Sequence, residues 1–256
     1  MATKAHGRIL FWEGASLWIF SAPPGQKYPK TDPHCHHVVQ VTLALTGRIS
    51  FDGEAERASG VAIAIAPNAR HAFEGTGLVA HLFVASDSSA GRQIARGLFP
   101  NGPIASIPVR QLGDLPARLK ATFEDPQHTD DDLRALGRSL IARLAGEGAH
   151  AGAPDSRIVK LLAWLTPRLD EAVSLSDAAV FMGLSPGRAR HLFVKQTGLP
   201  FRTFVLWLRL MRAVEIYAAH ASLTEAAHGA GFADSAHLSR TFRRMFGVAA
   251  ASLRVS

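Results

Sequence analysis

Gly231-Phe-Ala-Asp234-Ser-Ala-His237-Leu-Ser-Arg240-Thr-Phe242-Arg-Arg-Met245-Phe-Gly247 decides how this 256-residue chain is read. Leu238, Phe242, Met245 and Phe246 recur at i, i+4, i+7 and i+8, which is one face of a helix. Asp234 is a natural N-cap for it. Ser235, Ala236, His237, Ser239, Arg240, Arg243 and Arg244 fall off the apolar stripe. Before Gly231, Leu223, Ala226, Ala227 and Ala230 mark a shorter helix. A helix, a glycine turn and a second helix with a basic outer face are therefore expected.

The same order of features stands 48 residues earlier. Leu175, Ala178, Ala179 and Met182 precede Gly183, where the chain must turn sharply. Ser185 offers a cap, and Pro186 takes the first helical position. Ala189, Leu192 and Phe193 form the buried stripe, leaving Arg188, Arg190, His191 and Lys195 outside. Gly198 and Gly247 close the two units, 15 and 16 residues after their turn glycines. Between them, Phe201 to Ala219 reads as one long helix with Phe204, Val205, Leu208 and Met211 apolar. One such pair fits an ordinary helical hairpin; two with matched glycines, caps and basic faces do not arise readily by chance.

From about Asp155 to Arg254 the chain resembles the DNA-binding domain of AraC-type transcription factors. The resemblance implies two helix-turn-helix units joined by a linker helix, with recognition helices in successive major grooves about 34 Å apart. It places Gly187, Arg190 and His191 toward bases in the first unit, and Ser235, Ala236, His237 and Arg240 in the second. Ser239 lies beside them. Arg188, Lys195, Arg243 and Arg244 suit phosphates, and Arg190 or Arg240 suits bidentate reading of guanine. Each arginine is also what a solvated helix face would carry. Gly187 and Ala236 are smaller than the side chains often found at their positions, which shifts weight toward DNA shape. The family's proline after the final glycine is absent from Val248 to Leu253.

The charge agrees with this division. Lys plus Arg exceed Asp plus Glu by 28 to 21, a net +7. Residues 1–154 hold 15 basic and 14 acidic residues, and residues 155–256 hold 13 and 7, so the excess belongs to the C-terminal part. Gly146 to Pro154 is small, Gly-rich and aperiodic, which reads as a linker at 147–154. Asp155 caps the helix beyond it. A C-terminal all-α domain at 155–256 is expected. One cysteine excludes a disulfide framework and an all-Cys zinc site. No apolar run is long enough for a membrane helix or a signal segment, so the expected compartment is the cytoplasm, with no membrane partner.

Residues 1–146 carry short β-rich runs at Arg8–Trp12, Leu17–Ser21, Val38–Leu45, Arg48–Phe51, Val61–Ala66 and Leu78–Val84. Gly, Pro, Asn and Asp punctuate them, as expected of an antiparallel barrel or sandwich. Helical spacing begins beyond Gly91. Leu133, Leu136, Leu140, Ile141 and Leu144, behind Asp130, Asp131 and Asp132, form a helix near 130–146 that is the candidate dimer helix. The fold class is thus α+β with two domains.

Five of the twelve histidines lie between His34 and His81. His34-Cys-His-His-Val-Val-Gln40, then Gly47, Gly60, Pro67 and His71, resemble the two motifs of the cupin barrel, a form common in AraC-type sensor domains. On a strand, His34, His36 and Gln40 share parity and point inward, with His71 joining them. Imidazoles suit a divalent transition metal. Gln40 stands where the resemblance implies a Glu, and the same histidines also suit a metal-free pocket that hydrogen-bonds an organic effector. His37 and Cys35 are expected outward, His81 in the same cavity, and His6, His128 and His150 at the surface.

The resulting expectation is a bacterial-type, one-component regulator, not an enzyme. A small-molecule or metal effector in the barrel would set the affinity for operator DNA or the contact with RNA polymerase, in a monomer or homodimer. The alternative is a metal-dependent cupin enzyme with an accessory helical domain. It leaves the helical repeat unexplained, and no acid–base pair accompanies the histidines.

Overall fold

The computed structural model describes residues 5–12, 14–22, 25–146, 155–197, 199–219, 221–250 and 253–255. The expected linker at 147–154, Gly198 and His150 lie outside the described residues. By its contacts the chain divides into Met1–Ala151 with Arg243–Ser256, and Gly152–Phe242.

The first unit opens with β1 (Ala5–Trp12), β2 (Ala15–Ser21), β3 (Val38–Ala44), β4 (Ile49–Gly53), β5 (Arg57–Gly60), β6 (Ala62–Ile65), β7 (His71–Gly75) and β8 (Leu78–Ala85). Helix α1 (Ser89–Leu98), strand β9 (Ile104–Ser106) and helices α2 (Val109–Leu112), α3 (Leu115–Glu124) and α4 (Asp130–Ala145) follow. The chain's last strand, β10 (Leu253–Val255), pairs in parallel with β1. Seven strands form one sheet in the order β10-β1-β2-β8-β3-β6-β9, and β5-β4-β7 form a second.

Strand alternation explains why the larger sheet is buried on both faces. Leu17 and Ile19 of β2, Val39, Val41 and Leu43 of β3, and Ala80, Leu82 and Val84 of β8 join one core cluster. Helices α1 to α4 complete it with Ile94, Leu112, Leu119 and the α4 leucines. The residues between them on the same strands, Trp18, Phe20, Gln40, His81 and Phe83, line a cavity instead. Ile63, Ile65, Val79 and Ile104 of the large sheet meet Ile49, Phe51 and Phe73 of the small one in a second cluster.

Helix α4 starts where its acidic first turn predicts. Thr129 and Asp132 form a capping box, the Thr129 hydroxyl accepting the Asp132 N–H while the Asp132 carboxylate accepts the Thr129 N–H. Leu133, Leu136, Leu140 and Leu144 are buried within the same unit. Each contributes about 1.5–3 kcal/mol of burial. The stripe that the sequence offers to a second subunit is therefore already covered by its own chain.

The second unit begins at α5 (Ser156–Leu165), capped by Asp155, followed by a 3-10 turn at Thr166–Arg168. Helices α6 (Leu175–Phe181), α7 (Pro186–Thr197), α8 (Phe201–Ala218), α9 (Leu223–Gly229) and α10 (Ser235–Phe246) follow, and the last four residues of α10 belong to the first unit. Helices α6 and α9 each start with a capping box, Ser174 with Asp177 and Ser222 with Glu225. Gly183 and Gly231 turn the chain after them at φ +65° and +75°, a region that glycine enters without strain. Ala178, Ala179, Ala189 and Phe193 close one core with Ile158, Leu161 and Leu165 of α5.

Candidate functional site

Two places concentrate functional chemistry: a histidine-lined cavity in the first unit and the exposed faces of α7 and α10.

His34 and His36 do not lie on a strand, because β3 begins only at Val38. The parity expectation is corrected accordingly. His34 instead forms an isolated antiparallel bridge with His71, and this bridge rather than strand alternation brings the two motifs together. Ring centroids lie 4.3 Å apart for His34–His71, 5.0 Å for His36–His71 and 6.0 Å for His34–His36. One ligand atom from each of the three buried rings falls within 4.8 Å of the others.

The hydrogen bonds orient these rings. His34 Nδ1 is 2.8 Å from the Asp32 carbonyl, and His71 Nδ1 is 2.9 Å from the Ala69 carbonyl. A carbonyl only accepts, so each Nδ1 carries the proton and each neutral ring has its lone pair on Nε2. His71 Nε2 is buried and has no hydrogen-bond partner among the described residues. His36 Nε2 lies 2.6 Å from Gln40 Oε1. Gln40 Nε2 donates to Thr42 Oγ1 at 2.9 Å and lies 3.2 Å from His81 Nδ1.

Burial holds the rings neutral. Loss of solvent pushes the His36 pKa down to about 3, with the neighbouring His34 adding to the shift. Burial, then the charges that His36 and His34 would carry, lowers His71 to about 2. Burial brings His81 to about 3 and lowers His34 as well. His81 lines the cavity as expected. His37 lies apart from the cluster, against Asn68 Oδ1 at 2.5 Å, and Cys35 is half-buried as a free thiol.

In the helical pairs, the stripes inferred from spacing are buried in part, with Leu175, Leu192 and Leu223 only half-buried. Ala189 and Phe193 point inward from α7, as do Leu238, Phe242, Met245 and Phe246 from α10. Thr241, which spacing alone did not mark, is buried with them. Arg188, Arg190, His191, Lys195, Ala236, Arg240, Arg243 and Arg244 are exposed; Ser235, His237 and Ser239 are half-buried. The Asp234 carboxylate accepts the His237 N–H at 2.6 Å, the expected cap. The His237 ring stands edge-on to Phe232 at 5.2 Å. Arg243 pairs with Asp32 at 2.8 Å. Arg188, Arg190, Lys195, Arg240 and Arg244 form no ion pair among the described residues.

Residues 178–255 match the family model of a helix-turn-helix domain. The HTH-type transcriptional activator RhaS of Escherichia coli (strain SMS-3-5 / SECEC) is 26% identical over 262 residues, covering 95% of this chain and 94% of that protein. RhaS of Salmonella schwarzengrund is 32% identical over 141 residues, or 54% of this chain and 50% of the relative. Among solved structures, ToxT from Vibrio cholerae O395 superposes with a TM-score of 0.58 at 10% identity, covering 94% of this chain and 96% of ToxT. ToxT bound to an unsaturated fatty acid, from V. cholerae strain SCE256, gives 0.53 at 10% identity, over 96% and 92%. These likenesses to ToxT show a shared fold.

Proposed function

We infer that this chain is an AraC-type transcriptional regulator, as its helix-turn-helix match and its RhaS relatives support, and that it binds operator DNA through its two helix–turn–helix pairs under the control of a ligand in its N-terminal unit. The observation that carries the reading is the paired construction of α6–α7 and α9–α10. Each pair has a capping box, a positive-φ glycine and an outer helix with arginines that form no ion pair among the described residues, Arg188 and Arg190 on α7 and Arg240 and Arg244 on α10. Arg188, Lys195 and Arg244 are placed to neutralise phosphates, which sets affinity and salt dependence. Arg190, His191, Ser235, Ala236, His237, Ser239 and Arg240 are the base-facing set, with Arg190 and Arg240 suited to guanine. Arg243 shares its charge with Asp32, so its phosphate contact competes with that pair.

The relatives are named as transcriptional activators, which favours a regulator over the cupin enzyme. Contact with RNA polymerase belongs to the same reading. A homodimer would need a face other than the leucine stripe of α4.

The N-terminal ligand site is the histidine cluster. The orphaned His71 Nε2, the fixed Nδ1–H of His34 and His71, and three neutral nitrogen donors fit a divalent transition metal. His34, His36 and His71 would hold it, and His36 would exchange its Gln40 bond for the ion. When bound, such an ion supplies an open coordination position for a second ligand. The metal-free alternative rests on the His36–Gln40–Thr42 chain, which is already satisfied. It leaves the His34 and His71 Nε2 lone pairs to accept from a ligand O–H or N–H.

The test is recovery and sequencing of genomic fragments retained by the purified protein. The expected result is an enriched motif of two half-sites about one helical turn apart. Retention with no enriched motif would overturn the reading.

A further inference from the structure

We propose that the cavity of the first unit takes a flat aromatic carboxylate of one or two fused rings. The argument rests on the metal reading above for the anchor of the carboxylate, and on the cavity walls for the ring.

The cavity encloses about 350 Å³, the range of small-molecule sites. Its walls are largely aromatic. Trp18 packs at 5.1 Å from Phe83 and 4.8 Å from Phe246, and Phe83 lies 5.8 Å from Phe246. Tyr28 and Phe73, at 5.9 Å, also line the space. Such faces favour a planar π-system over a flexible chain, because edge-to-face and offset contacts add to simple burial and a rigid ring loses little freedom.

The polar groups of these walls are already committed. Trp18 Nε1 donates to Ser16 Oγ at 3.0 Å. The Tyr28 hydroxyl sits on the carbonyls of Phe20 and Gly77. Thr31 Oγ1 accepts the Phe73 N–H at 2.8 Å. A sugar or other polyol would therefore leave most of its hydroxyls unpaired.

Polar capacity remains where His34, Gln40 and His81 line the cavity, Gln40 Nε2 lying 3.2 Å from His81 Nδ1. Of the metal-holding residues His34 lines the cavity and His36 sits behind Gln40, so an ion held by the three uncharged imidazoles of His34, His36 and His71 borders this part of the space; it keeps its full positive charge in a poorly solvated site, and an anion balances it. The rim adds no net charge, since Lys30 pairs with Asp52 and Arg243 with Asp32. The site thus calls for one anionic head on an otherwise apolar, planar body.

Isothermal titration of the full chain tests this. Zinc is titrated first into chelator-treated protein. Then 1-naphthoate, octanoate and a monosaccharide are each titrated into the zinc-loaded and zinc-free forms. Naphthoate is expected to bind the loaded form at least tenfold more tightly than the free form, and at least tenfold more tightly than octanoate. Trp18→Leu and Phe83→Leu are expected to weaken naphthoate tenfold or more while zinc binding persists, which also reports that each variant is folded. Octanoate or the sugar binding as well as naphthoate overturns the proposal, as does equal affinity for the two forms. Zinc binding without naphthoate binding overturns this proposal alone, whereas no zinc binding overturns the metal reading and with it the carboxylate's anchor.

Discussion

His34 and His71 face each other across an isolated bridge, each backbone N–H donating to the other's carbonyl at 2.9 Å, with their rings 4.3 Å apart. A two-residue ladder holds the side chains of distant segments in register without a strand on the His34 side. The backbone sets the donor positions, and the carbonyls of Asp32 and Ala69 set which ring nitrogen is exposed to a ligand.

If these rings hold a metal, zinc raises the thermal midpoint of the wild-type protein and fails to raise that of His71→Ala. An ion at a hundredfold its dissociation constant stabilises by about 2.7 kcal/mol, a shift that thermal melting resolves. An equal shift in both proteins would place the ion elsewhere.

The metal-free protein is expected to lose stability on acidification. His36 and His71 have pKa values near 3 and 2 in the fold, against 6.5 for an unhindered ring. Between these values the unfolded chain binds protons that the native state refuses. The contribution is complete above about pH 6.5 and falls as the pH drops, by up to about 1.4 kcal/mol per pH unit for each ring. Urea unfolding at pH 7, 6 and 5 measures the slope, and His71→Gln is expected to flatten it.

Gly231 and Gly183 occupy equivalent turns with unequal surroundings. A Cβ on Gly231 would meet the Leu169 carbonyl oxygen at 2.5 Å, whereas one on Gly183 would meet nothing within 4 Å. Gly183→Ala is expected to cost about 1 kcal/mol from its positive φ alone. Gly231→Ala should cost at least about 1 kcal/mol more, as read by chemical denaturation of the two variants.

Arg240→Ala is expected to remove preference for the enriched motif and weaken operator binding by about 1–3 kcal/mol. Lys195→Ala should weaken all DNA alike and lower the salt slope by about one. Fluorescence anisotropy at several salt concentrations separates the two, and unchanged selectivity in Arg240→Ala would remove it from the base-reading set.

Much of this was legible because helical spacing repeats over many residues. The stripe from Leu238 to Phe246 and the leucines of α4 each gave a consistent face, and Asp155 and Asp234 sit at helix starts as their short polar side chains allow. The strands were less legible. Strand β5 is Arg57-Ala-Ser-Gly60, with no β-branched or aromatic residue, and is formed by pairing with β4. Strand β9 has three residues, too few for any period. The members of the histidine cluster are legible in the sequence, but their local geometry is not. Spacing puts His34 and His36 on a strand, whereas His34 is held by a bridge to a residue 37 positions away, and spacing along the chain carries no record of such pairing. The capping boxes at Ser174 and Ser222 carried the usual signature, polar residue and acid three apart.

The core that runs from Leu10 to Leu144 and the core that runs from Ile158 to Leu208 have no residue in common. Each is complete within its own stretch of chain. Thermal melting is therefore expected to show a transition for each core, and the zinc-dependent shift is read on the transition of the core from Leu10 to Leu144. The same separation means that residues of the first core can be exchanged without disturbing the apolar packing around α6 and α7.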